Sequence, residues 1–130
     1  GEREWTLEQF ERVIATGTVD VIGVDPGRAE GITGFKKVTE RCEFYRRQAN
    51  AHAWSSAIVS AASLAISFNS PACKLFELKP LRNPMQHDLV TVPFDHKDGW
   101  IYPPSGPGLG IEVIEDVVEG YRSEKVLGLA

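Results

Sequence analysis

Four ionisable side chains of this 130-residue chain recur at nearly even intervals: Glu2, Asp25, His52 and Glu77, separated by 23, 27 and 25 residues. Carboxylates and imidazole are the groups that move protons near neutral pH or hold a hard cation, so a set of them brought to one place would make an acid–base or metal site. Residue type alone leaves each one open. Asp25 precedes Pro26-Gly27, where an Asp commonly caps a turn. His52, in QANAHAWSSAI, suits a hydrogen-bonded core position, a metal ligand or a proton carrier equally well. Glu77 stands between Phe76 and Leu78 in KLFEL. A carboxylate in such an apolar strand must be paired, protonated or metal-bound, because a charge left unpartnered there is expensive. For Glu2, the plain alternative is a solvated terminal residue.

The elements that must position these groups alternate. WTLEQFERVIAT (5–16) places Leu7, Phe10, Val13 and Ile14 at helical spacing, with Thr6 as N-cap and Gly17 as stop. VDVIGVD (19–25) is β-branched and apolar, which predicts a strand buried on both faces and ending in a carboxylate. A second helical pattern over 33–46 carries Phe35, Val38, Cys42 and Tyr45 on one side; QANAHA follows as a short strand, then an Ala-rich helix over 56–68, then the strand CKLFEL. Helix, strand, helix, strand, helix, strand in that order predicts right-handed βα units on a parallel sheet. Catalytic groups of such folds sit at the carboxyl ends of the strands, and one βα unit of an eight-unit barrel takes about 30 residues. The intervals between the four ionisable groups are close to one unit each.

The last third differs. LVTVPFDHKDGWIYPP predicts a hairpin turning at Asp98-Gly99, and PPSGPGLG leads into a short acidic helix, IEDVVEGY. The glycines of SGPGLG do not join a parallel strand to a long helix, so they make no phosphate loop.

Composition removes several classes of function. With 14 basic and 18 acidic residues the net charge is −4, and no stretch gathers basic and aromatic residues for binding nucleic acid. The one long weakly polar run, AIVSAASLAISF (57–68), is too short to span a bilayer and carries three serines, which predicts a buried helix and no membrane role. No basic and apolar leader opens the chain, and Cys42 and Cys73 lack metal-ligand spacing, so free thiols in a reducing cytoplasm are expected.

VDVIGVDPGRAEGIT, AHAWSS, LFEL, NPMQHDLVTVPFDHKDGW and PSGPGLGIEVIEDV, in this order and spacing, resemble the carboxyl-terminal third of the mandelate racemase and muconate lactonizing enzyme family, within the enolase superfamily. The resemblance implies an α/β fold: the last three or so βα units of a (β/α)8 TIM-type barrel over residues 1–80, then a hairpin and helix over 81–130 that return toward an absent capping domain. It also implies abstraction of the proton α to a carboxylate, with Mg2+ stabilising the enediolate. Position by position, Glu2 would be a carboxylate ligand of Mg2+. His52 would be the general acid/base, with Asp25 orienting its imidazole, and Glu77 would share a proton with the substrate carboxylate. The expected substrate is a sugar acid or 2-hydroxy acid, and LRNPMQHDL is closer to acid-sugar dehydratases than to cycloisomerases. Racemisation or epimerisation of a 2-hydroxy acid is the alternative, and a non-catalytic fragment or interaction module a third reading. Two further carboxylate ligands and a second-strand catalytic group of the family lie upstream of Gly1. The isolated chain is therefore expected to be inactive and to associate, as a homo-oligomer or with the missing amino-terminal part. Two departures stand out: the family often has Gly at Glu30, and a helix-ending Gly near Arg46 and Arg47.

Overall fold

The computed structural model describes residues 1–122. The first helix, α1 (Leu7–Thr16), starts at Thr6, whose hydroxyl accepts the Gln9 N–H while the Gln9 side chain accepts the Thr6 N–H, a reciprocal capping box. It ends at Gly17, in the left-handed conformation with φ 70°. Strand β1 (Val21–Val24) follows, then helix α2 (Gly31–Phe44), β2 (Gln48–His52), α3 (Ala57–Asn69) and β3 (Cys73–Glu77).

The strands form one parallel sheet in the order β1-β2-β3. Helices α2 and α3 are thus the crossovers between neighbouring parallel strands, while α1 precedes β1 and packs beside α2. Ile22 and Val24 of β1 and Ala49 and Ala51 of β2 point into a single core with Phe10, Ile14, Phe35, Val38, Cys42 and Ile66 from the helices. Residues of opposite parity are less covered: Val21 is 47% exposed, and Gly23 and Asn50 are half-buried. The expectation that β1 is buried on both faces is corrected accordingly, since the helices cover only one face of this three-stranded sheet. Likewise α3 is not buried all round. Ser60, Ala61, Ser63 and Leu64 face inward while Ile58 and Phe68 remain exposed.

Helix α2 begins and ends two residues before the span its periodicity predicts, and each end has a local cause. At the start, Glu30 (φ 58°) and Gly31 (φ 73°) both turn left-handed. At the end, the Arg46 N–H reaches the Glu43 carbonyl (3.1 Å) and the Arg47 N–H reaches the Cys42 carbonyl (2.7 Å). These paired bonds form a Schellman motif, with Arg46 (φ 54°) at the position that favours glycine.

Beyond β3 the expected hairpin shrinks to its turn. Asp98 and Gly99 both have positive φ, and Lys97 and Trp100 exchange backbone hydrogen bonds of 2.8 and 2.9 Å, as in a two-residue type I′ turn. No strands extend from it among the described residues. Pro93 in one arm and Pro103-Pro104 in the other withhold ladder donors, and Val90 bridges Val113 instead. A one-turn helix, α4 (Pro84–His87), capped by Asn83, was not anticipated; α5 (Glu115–Gly120) forms where the acidic helix was expected. Among the described residues, no helix is long and apolar enough to cross a membrane.

Candidate active site

The sheet register brings three of the four singled-out side chains to one edge. Val24 is opposite Ala51, so Asp25 follows beside His52, and His52 is directly opposite Glu77. The second alignment depends on an irregularity. Between its pairings with Ala49 and Ala51, β3 advances from Cys73 to Phe76, one residue more than β2. This bulge leaves Lys74 and Leu75 exposed and puts Glu77, rather than Phe76, across from His52.

His52 and Glu77 are in contact: Nδ1 of the imidazole lies 3.0 Å from Oε2 of the carboxylate. An ionised carboxylate only accepts, so with Glu77 ionised the bond is made from Nδ1–H, and the lone pair of a neutral ring is then on Nε2. Glu2 also approaches, its Oε2 3.7 Å from the same Nδ1. Glu2 packs against Gly23 of β1, where a Cβ would stand in ordinary contact with the Glu2 Cβ at 3.5 Å. The Trp54 ring stacks near the imidazole, centroids 6.2 Å apart and planes 22° from parallel. The side chains of His52, Glu77 and Glu2 are 34%, 38% and 57% exposed, so the dyad is reachable from solvent.

Asp25 is placed differently. Its side chain is 14% exposed; Oδ1 accepts the Gly27 N–H at 2.8 Å, Oδ2 lies 3.9 Å from Nε of Arg28, and its backbone carbonyl accepts the Arg28 and Ala29 N–H groups. Its contacts are those of a turn cap, and Glu77 occupies the position beside the imidazole that was expected of Asp25. The resemblance implies that Glu77 faces the substrate; the structure adds a contact with His52 that depends on the bulge, which leaves no mark in residue types.

Among the described residues, no group of three or more His, Cys, Asp or Glu side chains is arranged to hold a metal ion. A hard divalent cation needs about six oxygen donors. Glu2 offers one carboxylate, so these residues alone do not fit a magnesium site. Cys42 and Cys73 are free. Burial pushes the Cys42 thiol up to about 12, with the neighbouring Cys73 and Glu43 adding to the effect, and burial also raises Cys73, so neither is an activated nucleophile.

A chain with this parallel α/β sheet has relatives. The profile of the family described as enolase C-terminal domain-like matches residues 1–117. The chain belongs to that family. Among curated relatives of this enolase-superfamily chain, D-gluconate dehydratase of Thermoproteus tenax is 29% identical over 127 residues, covering 95% of the chain and 25% of the relative. D-galactonate dehydratase of Ralstonia pickettii is 31% identical over 124 residues, covering 91% and 32%. Among solved structures, a mandelate racemase/muconate lactonizing enzyme-like protein from Roseovarius sp. TM1035 superposes with a TM-score of 0.83 at 31% identity, over 92% of this chain and 30% of that one. The chain thus spans a quarter to a third of these relatives. It corresponds to the carboxyl-terminal part of a superfamily whose members include dehydratases.

Proposed function

We propose that this chain is the carboxyl-terminal, (β/α)8-barrel part of an acid-sugar dehydratase and that His52 is its proton carrier. The observation that carries the reading is the 3.0 Å contact between His52 Nδ1 and Glu77, which leaves Nε2 as the free, basic nitrogen at the sheet edge. D-gluconate and D-galactonate dehydratases among the relatives support a sugar acid as substrate.

Dehydration breaks the C–H bond α to the carboxylate and the C–O bond at the β-carbon, and releases water. An imidazole whose Nε2 is unoccupied accepts a proton when neutral; once protonated, it donates one to the departing hydroxyl. Glu77 holds the ring orientation through both states and stabilises the imidazolium. Trp54 supplies a flat apolar wall beside the ring. Mg2+ in the complete enzyme is part of the proposal. Glu2 would be one of its carboxylate donors and the remainder would come from outside the described residues; bound there, the ion would supply charge stabilisation for the enediolate. Racemisation of a 2-hydroxy acid would use the same His52 and differ only in lacking a β-leaving group.

The test is exchange of the substrate α-proton with solvent deuterium in the full-length protein, using D-gluconate and D-galactonate. His52→Asn should lower exchange by at least about a hundredfold while leaving Mg2+ affinity nearly unchanged. Exchange at the parent rate would remove His52 from the mechanism.

A further inference from the structure

Behind His52, on the helix side of the sheet, runs a fully buried polar chain. Gln86 of α4 and Ser60 in the first turns of α3 are each 1% exposed, as is Ala53, the residue after His52. Nε2 of Gln86 donates to Oγ of Ser60 at 2.6 Å, and Oγ of Ser60 donates to the Ala53 carbonyl at 2.9 Å. The order of donors is fixed by proton count. A hydroxyl has one proton; Ser60 spends it on Ala53, so the Gln86 group facing Ser60 must be the amide NH2. One residue further on, the Trp54 carbonyl accepts from Nζ of Lys79 at 3.3 Å. Both carbonyls that follow His52 are therefore held, one from the core and one from the segment after Glu77.

Relying on the reading of His52 as proton carrier, we propose that Ser60, clamped by Gln86, is a positioning residue for His52. Its hydroxyl anchors the backbone where β2 ends, and the direction of the Cα–Cβ bond of His52 follows from that anchor. If the Ala53 carbonyl is released, the strand end can rotate, the Nδ1–Glu77 contact lengthens, and the preference for a proton on Nδ1 is lost. Displacements of about 1 Å in a reacting group can cost about a hundredfold in rate. The same bonds give the buried amide NH2 of Gln86 its partner and connect α4, in the segment after β3, to the end of β2.

The experiment uses the full-length protein labelled with 15N-histidine, the His52 ring signals being assigned by their loss in His52→Asn. In the parent, the two ring nitrogens should give well-separated signals, one protonated at Nδ1 and one bare at Nε2. Ser60→Ala should move these signals toward each other as tautomers mix, and should lower kcat for α-proton exchange about tenfold with KM within about twofold. If Ser60→Ala fails to fold, Ser60→Cys keeps the shape with a weaker donor, and an intermediate change in both readouts is expected of it. Unchanged ring signals in a folded variant would overturn the proposal whatever the activity does, and so would a change in KM alone. If His52→Asn retains exchange while Ser60→Ala still shifts the ring signals, the anchor stands and the catalytic reading of His52 falls. Loss of exchange in His52→Asn with unmoved signals in Ser60→Ala would leave the reverse.

Discussion

Replacing Arg46 by glycine should stabilise the protein, and the gain can be worked from the backbone. Arg46 has φ 54°, in the left-handed region, which costs an L-residue roughly 1–2 kcal/mol. Both Schellman hydrogen bonds at this helix end are made by backbone N–H groups, so glycine keeps them. Against the relief stands the greater freedom of glycine in the unfolded chain, about 0.4–1 kcal/mol. The net expectation is about 0.7 kcal/mol in favour of Arg46→Gly. For a cooperative unit of 130 residues, with an unfolding entropy of about 2.1 cal/mol/K per residue, that is a rise in Tm of about 2–3 °C. Arg46→Ala is the control, since alanine removes the side chain and keeps the strain, and it should gain nothing. Differential scanning calorimetry of the three proteins decides the matter. Equal gains from glycine and alanine would show that the charge or length of the arginine mattered and not the backbone; no gain from glycine would refute the strain argument outright.

The remaining predictions concern the same framework and its dyad. Gly34 sits in α2 where a Cβ would fall 1.7 Å from the Ala29 carbonyl oxygen; Gly34→Ala should therefore cost about 3 kcal/mol or more, read as a lowered midpoint in urea. Cys42, with its thiol pushed from 9.0 to about 12, stays protonated in the folded state over a range where the unfolded chain ionises. Its contribution is fully present below pH 9.0 and is lost as pH rises toward 12, up to about 4 kcal/mol. Cys42→Ala should flatten the alkaline limb of a stability-against-pH curve, and an unchanged limb would contradict the assignment. Glu77→Gln removes the charge that holds imidazolium and should reduce α-proton exchange by about a hundredfold with little change in KM; a KM effect alone would assign Glu77 to substrate binding.

Much of this architecture was legible because its punctuation is chemical. Thr6 and Gly17 marked helix ends that the structure places within a residue or so, since caps act through one or two local hydrogen bonds that residue type predicts. The short runs VDVIGVD, QANAHA and CKLFEL marked three strands, and the carboxyl-end rule singled out Asp25, His52 and Glu77. What residue type could not show was anything set by a count of residues across two strands. The extra residue in β3 decides that Glu77, not Phe76, meets His52. The left-handed turns at Glu30 and Arg46 were hidden for a related reason: packing and the helix ends impose a conformation that the side chains there disfavour. Only the expected glycines at those positions hinted at it. The Asn83-Pro84 pair, a cap followed by proline at the first helical position, was a readable signal for α4. Gln86 inside that helix pattern was not, because a buried glutamine is explained only by its distant partner.

The sequential order of the sheet also bears on how the chain is put together. Val21 pairs with Gln48 and His52 with Glu77, so each pairing closes a loop of about 25 residues at an entropic cost near 3 kcal/mol beyond the constant term. None of the three described strands has to wait for another of them made much later in synthesis. Each new strand finds the preceding one already available as its template, and each brings its own ionisable residue to the growing edge. The dyad is therefore completed in the last of these additions, so His52 has no orienting partner until β3 has docked. A nascent chain stalled before Glu77 would carry most of the core and lack the His52–Glu77 contact.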